Sequence, residues 1–152
     1  MRNFISIIIL SIMLTNCGFK PIYGSKRTNF EIIEFKNKNE NKNSFTIEQT
    51  IMSISNQEAK RKIKLEIDYK KAISTVLKDN KGNPSKNKLS INVDLKVKNE
   101  RDNVLVIKSF NEEFNYDVQS NKFNMSQYVN NLIDNLNNKI SDDIIFLLGT
   151  LK

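Results

Sequence analysis

Over residues 89–98 apolar and polar side chains alternate without a break. Leu89, Ile91, Val93, Leu95 and Val97 fall at odd positions, and Ser90, Asn92, Asp94, Lys96 and Lys98 at even ones. A helix turns by about 100° per residue and would scatter these side chains around its circumference. An extended chain sends successive side chains to opposite faces, so the pattern dictates a strand with one apolar face. Such a face needs neighbouring strands to extend it and a second layer to cover it.

The flanking segments supply both. In residues 61–79, Ile63, Leu65, Ile67 and Tyr69 alternate with Lys62, Lys64, Glu66, Asp68 and Lys70, and Ile73, Thr75 and Leu77 keep the same parity. Residues 80–85 read Asn-Lys-Gly-Asn-Pro-Ser, a turn by composition. After a hairpin loop over 99–103, residues 104–118 form a third strand, with Val104, Val106, Phe110, Phe114, Tyr116 and Val118 in one parity. Leu105 and Ile107 make its start apolar on both faces, which predicts a cover on the second face there. Earlier, residues 30–35 (Phe30, Ile32, Ile33, Phe35) predict a short edge strand, and the Lys/Asn/Glu run over 36–43 a loop.

Two segments switch to helical spacing. Ile47, Ile51 and Ile54 predict a helix over 44–57, widened by Phe45 and Met52 and opened by a Thr46/Gln49 capping box. Val129, Leu132, Ile133, Leu136, Ile140, Ile144 and Leu147 predict a helix over 124–148. Asn124 and Gln127 form a candidate capping box, Ser141-Asp142 a second start that bends the helix, and Gly149 a stop. The element order is β-α-β-β-β-α. It implies an α+β two-layer sandwich: three consecutive antiparallel strands, the first strand added at an edge, and both helices on one face.

Residues 1–16 have a different character. Arg2 precedes an apolar run from Phe4 to Leu14, broken only by Ser6 and Ser11. The run is too short to cross a bilayer as a helix, which takes about 20 apolar residues. It has the length of a signal-peptide core. It ends in Leu14-Thr15-Asn16-Cys17, and Cys17 is the single cysteine of the chain. This ending resembles the lipobox of bacterial lipoproteins, with Asn16 where Gly, Ala or Ser is usual. The resemblance implies cleavage before Cys17 and attachment of lipid, such as palmitate, at its sulfur and amine. Several acyl chains, at ~0.8 kcal/mol per buried CH₂, anchor stably where one chain binds only marginally. By the same resemblance, Gly18 rather than Asp after the cysteine implies sorting to the outer membrane. The expected organisation is a signal peptide (1–16), a lipidated tether (17–28) and one α+β domain (29–152).

Composition narrows the chemistry. The chain has no His, so Ser-His-Asp and Cys-His nucleophiles are excluded, and its one thiol is the lipid attachment site. Glu112 and Glu113 are adjacent on a strand and point to opposite faces, so they cannot flank one bond. Asp142-Asp143 is expected to be a solvated pair. The chain has four glycines and no phosphate-cradling loop. We expect no enzyme activity, no metal and no cofactor. The formal charge is +7, but the basic residues are scattered and carry no nucleic-acid signature. Lys81, Lys86 and Lys88 cluster at the first hairpin turn, and Arg101 and Lys108 lie near the next strand. Lipid phosphates would pair with such groups.

The stretch Cys17-Gly18-Phe19-Lys20-Pro21-Ile22-Tyr23-Gly24 resembles the Cys-Gly-Phe-x-Pro-Leu-Tyr opening of alphaproteobacterial LPS-assembly lipoproteins, the LptE family. The order of elements after it is similar as well. That resemblance implies a lipoprotein on the periplasmic side of the outer membrane. It would plug the β-barrel translocon LptD, expected 1:1, support its assembly and contact lipopolysaccharide. Lys81, Lys86, Lys88, Arg101 and Lys108 would then be the candidate lipopolysaccharide contacts. The competing expectation is a free-standing periplasmic lipoprotein that binds peptidoglycan or a secretion-system subunit.

Overall fold

The structure, a computed structural model, describes residues 28–39 and 42–151. The signal peptide, Cys17 and the tether up to residue 27 lie outside the described residues.

Among the described residues, four strands form one sheet in the order β1-β2-β3-β4: β1 is Phe30–Asn37, β2 Arg61–Lys78, β3 Pro84–Asn99 and β4 Val104–Asp117. β2, β3 and β4 are antiparallel neighbours, and β1 lies parallel to β2 at the edge. Helix α1 spans Lys42–Ser53 and helix α2 spans Lys122–Thr150. The sheet is therefore mixed and the architecture α+β, as the alternation requires.

The period-two pattern sets the register. Ile63, Leu65, Ile67 and Tyr69 on β2 and Leu89, Ile91, Val93, Leu95 and Val97 on β3 are all buried. They form one core with Phe30 and Ile32 of β1, Ile47 and Ile51 of α1, and Leu136, Ile140 and Ile144 of α2. Both helices thus cover the same face. One polar connection runs through this core. Asn137 of α2 accepts from the Tyr69 hydroxyl (3.2 Å) and donates to the Asn43 carbonyl at the start of α1 (3.1 Å). Burial pushes the Tyr69 hydroxyl up to about 12, so it stays a neutral donor.

Several boundaries differ from the sequence expectation. α1 begins before Thr46, whose carbonyl accepts from the Thr50 hydroxyl inside the helix. α2 is capped by Asn121, whose side chain accepts from the Phe123 and Asn124 amides, rather than by Asn124. Ser141 does not start a second helix. Its hydroxyl donates to the Asn137 carbonyl one turn back, which satisfies it without a break. Gly149 lies within α2, and Leu151 is the C-cap. The apolar start of β4 has no cover on its second face among the described residues: Leu105 is 45% and Ile107 66% exposed. Ile73 keeps its parity on β2 but is exposed, because this end of the sheet extends past the shared core; the register shift after Thr75 sets Leu77 opposite Lys86, so Leu77 leaves the expected face.

The two hairpin turns are built alike. Asp79 Oδ1 accepts from the amides of Lys81 and Asn83, and Asn99 Oδ1 from those of Arg101 and Asn103. Each turn needs one left-handed residue, Gly82 (φ 83°) in the first and Asp102 (φ 64°) in the second. Asp tolerates that region better than most side chains.

The two ends of the sheet are distinct. At one end lie Thr28, whose hydroxyl donates to the Ile54 carbonyl (2.6 Å), the β3–β4 turn, and the C-terminus of α2, where the Arg61 guanidinium donates to the Leu151 carbonyl. At the far end lie the β2–β3 turn and the start of α2, joined by the Val118 amide to the Ser85 carbonyl (2.9 Å).

Candidate functional site

The polar face of the sheet, opposite the helices, is a lattice of cross-strand charges. It arises because even positions of β2 and β3 carry Lys, Glu and Asp in register. Glu66 sits between Lys38 (2.9 Å) and Lys98 (3.2 Å). Lys64 reaches Asp102 (2.9 Å) and Glu34 (3.9 Å), and Lys70 reaches Asp68 (3.0 Å) and Asp94 (3.4 Å). The Ser109 hydroxyl donates to Asp94 and holds its carboxyl below the usual range. Isolated exposed pairs contribute little. Here the pairs share members, so the face is ordered as well as polar.

The hydrogen bonds from Lys38 and Lys98 hold the Glu66 carboxyl down at about 2, from an ordinary 4.5. A carboxyl depressed by folding stabilises the fold above its unfolded pKa. That contribution fades as pH falls from about 4.5 toward 2. Glu66→Gln is therefore expected to lose less of its urea midpoint than the parent protein between pH 5 and pH 2. Equal losses would show that Glu66 is not held by its lysines.

The five basic residues expected to contact lipid phosphate fall in three places. Lys81 lies in the β2–β3 turn, and Lys86 and Lys88 follow on β3 at the same end. Lys86 faces Asp117 (3.6 Å) and Lys88 faces Glu113 (3.2 Å), so both cations are partly neutralised on the polar face. Arg101 lies in the β3–β4 turn at the opposite end, ~35 Å from Lys88 at the rise of a strand. Lys108 is opposite Leu95, on the helix side, with its ammonium 5.2 Å from the Phe110 ring centre. The structure thus brings Lys81, Lys86 and Lys88 to one tip and separates Arg101 and Lys108 from them. Cys17, the expected lipid attachment site, lies outside the described residues.

A second feature at this tip was not legible from spacing. On the helix side, an open groove of about 510 Å³ separates the far end of the sheet from the first turns of α2. Ile73, Tyr116, Val118, Met125 and Val129 make it mostly apolar, and Lys122 lies at its rim. Asn87 lines it too, with a buried Oδ1 that has no hydrogen-bond partner among the described residues. Tyr116 is fixed by an edge-on contact with Tyr128, ring centres 6.3 Å apart. The exposure of Ile73 is the trace this groove leaves on the surface. The groove forms because β2 and β3 outrun β1 and α1, so among the described residues only α2 covers the sheet there. Among the described residues no cluster of three His, Cys, Asp or Glu side chains could hold a metal ion. No helix among them is long and apolar enough to cross a membrane.

No protein-family model matches the chain, and no curated protein matches it in sequence. Solved structures do. Rare lipoprotein B from Shewanella oneidensis superposes with a TM-score of 0.62 at 12% identity, over 80% of this chain and 93% of that one. A lipoprotein B from Nitrosomonas europaea gives 0.59 at 9% identity, over 84% of this chain and 87% of that one. A lipoprotein from Caulobacter crescentus gives 0.54 at 12% identity, over 80% of this chain and 88% of that one. At these identities the likeness is one of fold: this chain shares the two-layer architecture of proteins described as lipoproteins.

Proposed function

We propose that the protein is a lipid-anchored outer-membrane lipoprotein of the LPS-assembly type. It plugs and supports a large β-barrel of the LptD kind and contacts lipopolysaccharide at its far tip. The observation that carries this reading is a coincidence of two independent features. A single cysteine closes a signal-peptide core and opens the Cys17-Gly18-Phe19-Lys20-Pro21-Ile22-Tyr23 stretch. The domain that follows has a fold shared with proteins described as lipoproteins.

The polar face supports the barrel partnership on physical grounds. The interior of a membrane barrel is polar, so a domain lodged there needs charged surface where a soluble domain would tolerate more apolar exposure. The lattice around Glu66, Lys64 and Lys70 is such a surface. The tip carries Lys81 in its turn, Lys86 and Lys88 on its polar face and the apolar groove, with Lys122 at the rim, on its helix face; cations and an apolar wall at one tip suit a phosphorylated amphiphile. Lysine supplies a point charge to phosphate.

A detergent pull-down of the processed protein from outer membranes tests the reading. A large barrel is expected to co-purify in about equal amount. Recovery without a barrel, but with peptidoglycan or a secretion-system subunit, would replace it. Lipopolysaccharide contact has its own check: Lys86→Glu with Lys88→Glu is expected to weaken binding to immobilised lipopolysaccharide about tenfold. Both sites are half-buried strand positions on the polar face, away from the core, so the fold should persist. Unchanged binding would remove them from the site.

A further inference from the structure

β1 stops pairing at Asn37↔Ile67, but β2 continues to Lys78. Beyond that point β2 is paired, among the described residues, on one side only, with β3. Each residue from Lys70 to Lys78 is exposed. The Lys38 amide donates to the Ile67 carbonyl, so the backbone groups of Ile67 point toward the β1 side. Alternation along the strand carries that direction to Lys71, Ile73 and Thr75, whose N–H and C=O groups face solvent. The irregularities in β2 begin only after Thr75, so this stretch is a regular open edge.

The opposite edge of the sheet, β4, is open too but guarded. Two of its helix-side positions carry charges that are already engaged: Lys108 lies over Phe110, and Glu112 is held by Lys139 of α2 at 2.7 Å. A strand added at that edge would have to disturb both interactions, which guards it. On the open stretch of β2 the helix-side positions are Lys71, Ile73 and Thr75. Ile73 is 50% exposed and lies at the mouth of the groove. Lys71 has no carboxylate in ion-pair range among the described residues, and the same is true of Lys78 farther along.

We propose that the edge of β2 from Lys71 to Thr75 accepts an extended segment of a partner protein as a fifth strand. That segment carries an acidic residue opposite Lys71 and an apolar residue opposite Ile73. Main-chain hydrogen bonds supply the attachment, and the alternate side chains supply the selection. The acidic side chain meets the unpaired ammonium of Lys71. The apolar one covers Ile73 and closes the mouth of the groove. A second copy of this chain is a poor occupant. Residues 70–78 hold three lysines and no acidic residue, so a second copy would bring more positive charge to this edge and no carboxylate for Lys71. The proposal does not depend on lipid attachment or on lipopolysaccharide contact.

The test uses the full processed protein in detergent and two nine-residue fluorescent peptides. One has glutamate, valine and threonine at successive alternate positions, and the other has lysine in place of glutamate. The glutamate peptide is expected to bind, and to slow amide exchange at Lys71, Ile73 and Thr75. Lys71→Glu is expected to weaken that peptide about fivefold and to favour the lysine peptide. Lys71 is exposed, so this substitution leaves the core intact. The proposal is overturned by equal binding of both peptides, by no binding, or by protection along β4 instead. Protection of these three amides before peptide is added would also overturn it, by showing that a second copy or the chain's own N-terminal segment occupies the edge.

Discussion

Ile140→Ala is expected to lower the unfolding free energy by about 2–5 kcal/mol. Ile140 is fully buried on α2, in the core that joins both helices to the sheet. Truncation removes three methyl or methylene carbons from water-excluded packing and leaves a cavity. Long strands on one side and α2 on the other restrict how far that cavity can collapse. The neighbouring control is Phe146→Ala, six residues on. Phe146 is 75% exposed, so its loss is expected to change stability by less than about 0.5 kcal/mol. Urea titration with an unchanged slope measures both. A small loss at Ile140 with a large loss at Phe146 would mean that α2 presents a different face to the sheet.

Asn137→Ala is expected to cost about 2–4 kcal/mol, by a different route. Asn137 is fully buried and satisfies the Tyr69 hydroxyl on the sheet while donating to the Asn43 carbonyl of α1. Removing it leaves a buried phenol donor without its acceptor. The desolvation cost of that donor is then uncompensated. Tyr69→Phe should cost less alone, and in the Asn137→Ala background it should cost less still, because the orphaned hydroxyl has gone. A double-mutant cycle with a coupling of about 1–2 kcal/mol is expected. Additive losses would show that the Tyr69–Asn137 bond does not form in solution.

The contrast between these two residues shows how much was legible in the chain. The strands and the inward face of α2 could be read because burial leaves a periodic trace: Leu89 to Val97 by twos, Leu132 to Ile144 by threes and fours. Asn137 breaks that trace, because a buried amide is visible only once the partners Tyr69 and Asn43 are placed. Helix starts were harder. Asn121 and Asn124 are equivalent as local signals. The choice between them is made by the Val118–Ser85 hydrogen bond, which fixes where the chain leaves β4. Thr46 and Gln49 fit a capping box in sequence but lie inside α1.

The candidate site was legible only in part. Lys81, Lys86 and Lys88 are close in sequence across a turn, so their meeting at one tip follows from the hairpin. Arg101 and Lys108 were grouped with them by chain proximity to β4. Strand length then separates Arg101, and strand parity sends Lys108 to the other face. The groove depends on β2 and β3 outrunning β1 and α1, and relative element lengths of that kind are not encoded in any one segment. The charge lattice depends on register for the same reason: Lys98 and Glu66 are complementary only because Lys64↔Lys98 and Glu66↔Lys96 are paired rows.

The account turns on the chemical state of Cys17, since a lipid tether there would fix which compartment and which neighbours the domain meets. Mass spectrometry of the native protein, taken from membranes without hydrolysis of its ester-linked acyl chains, reads that state directly. The account predicts an N-terminal peptide that begins at Cys17 and carries a thioether-linked diacylglycerol and an amide-linked acyl chain. A peptide that still contains residues 1–16, with an unmodified Cys17 thiol, would contradict it.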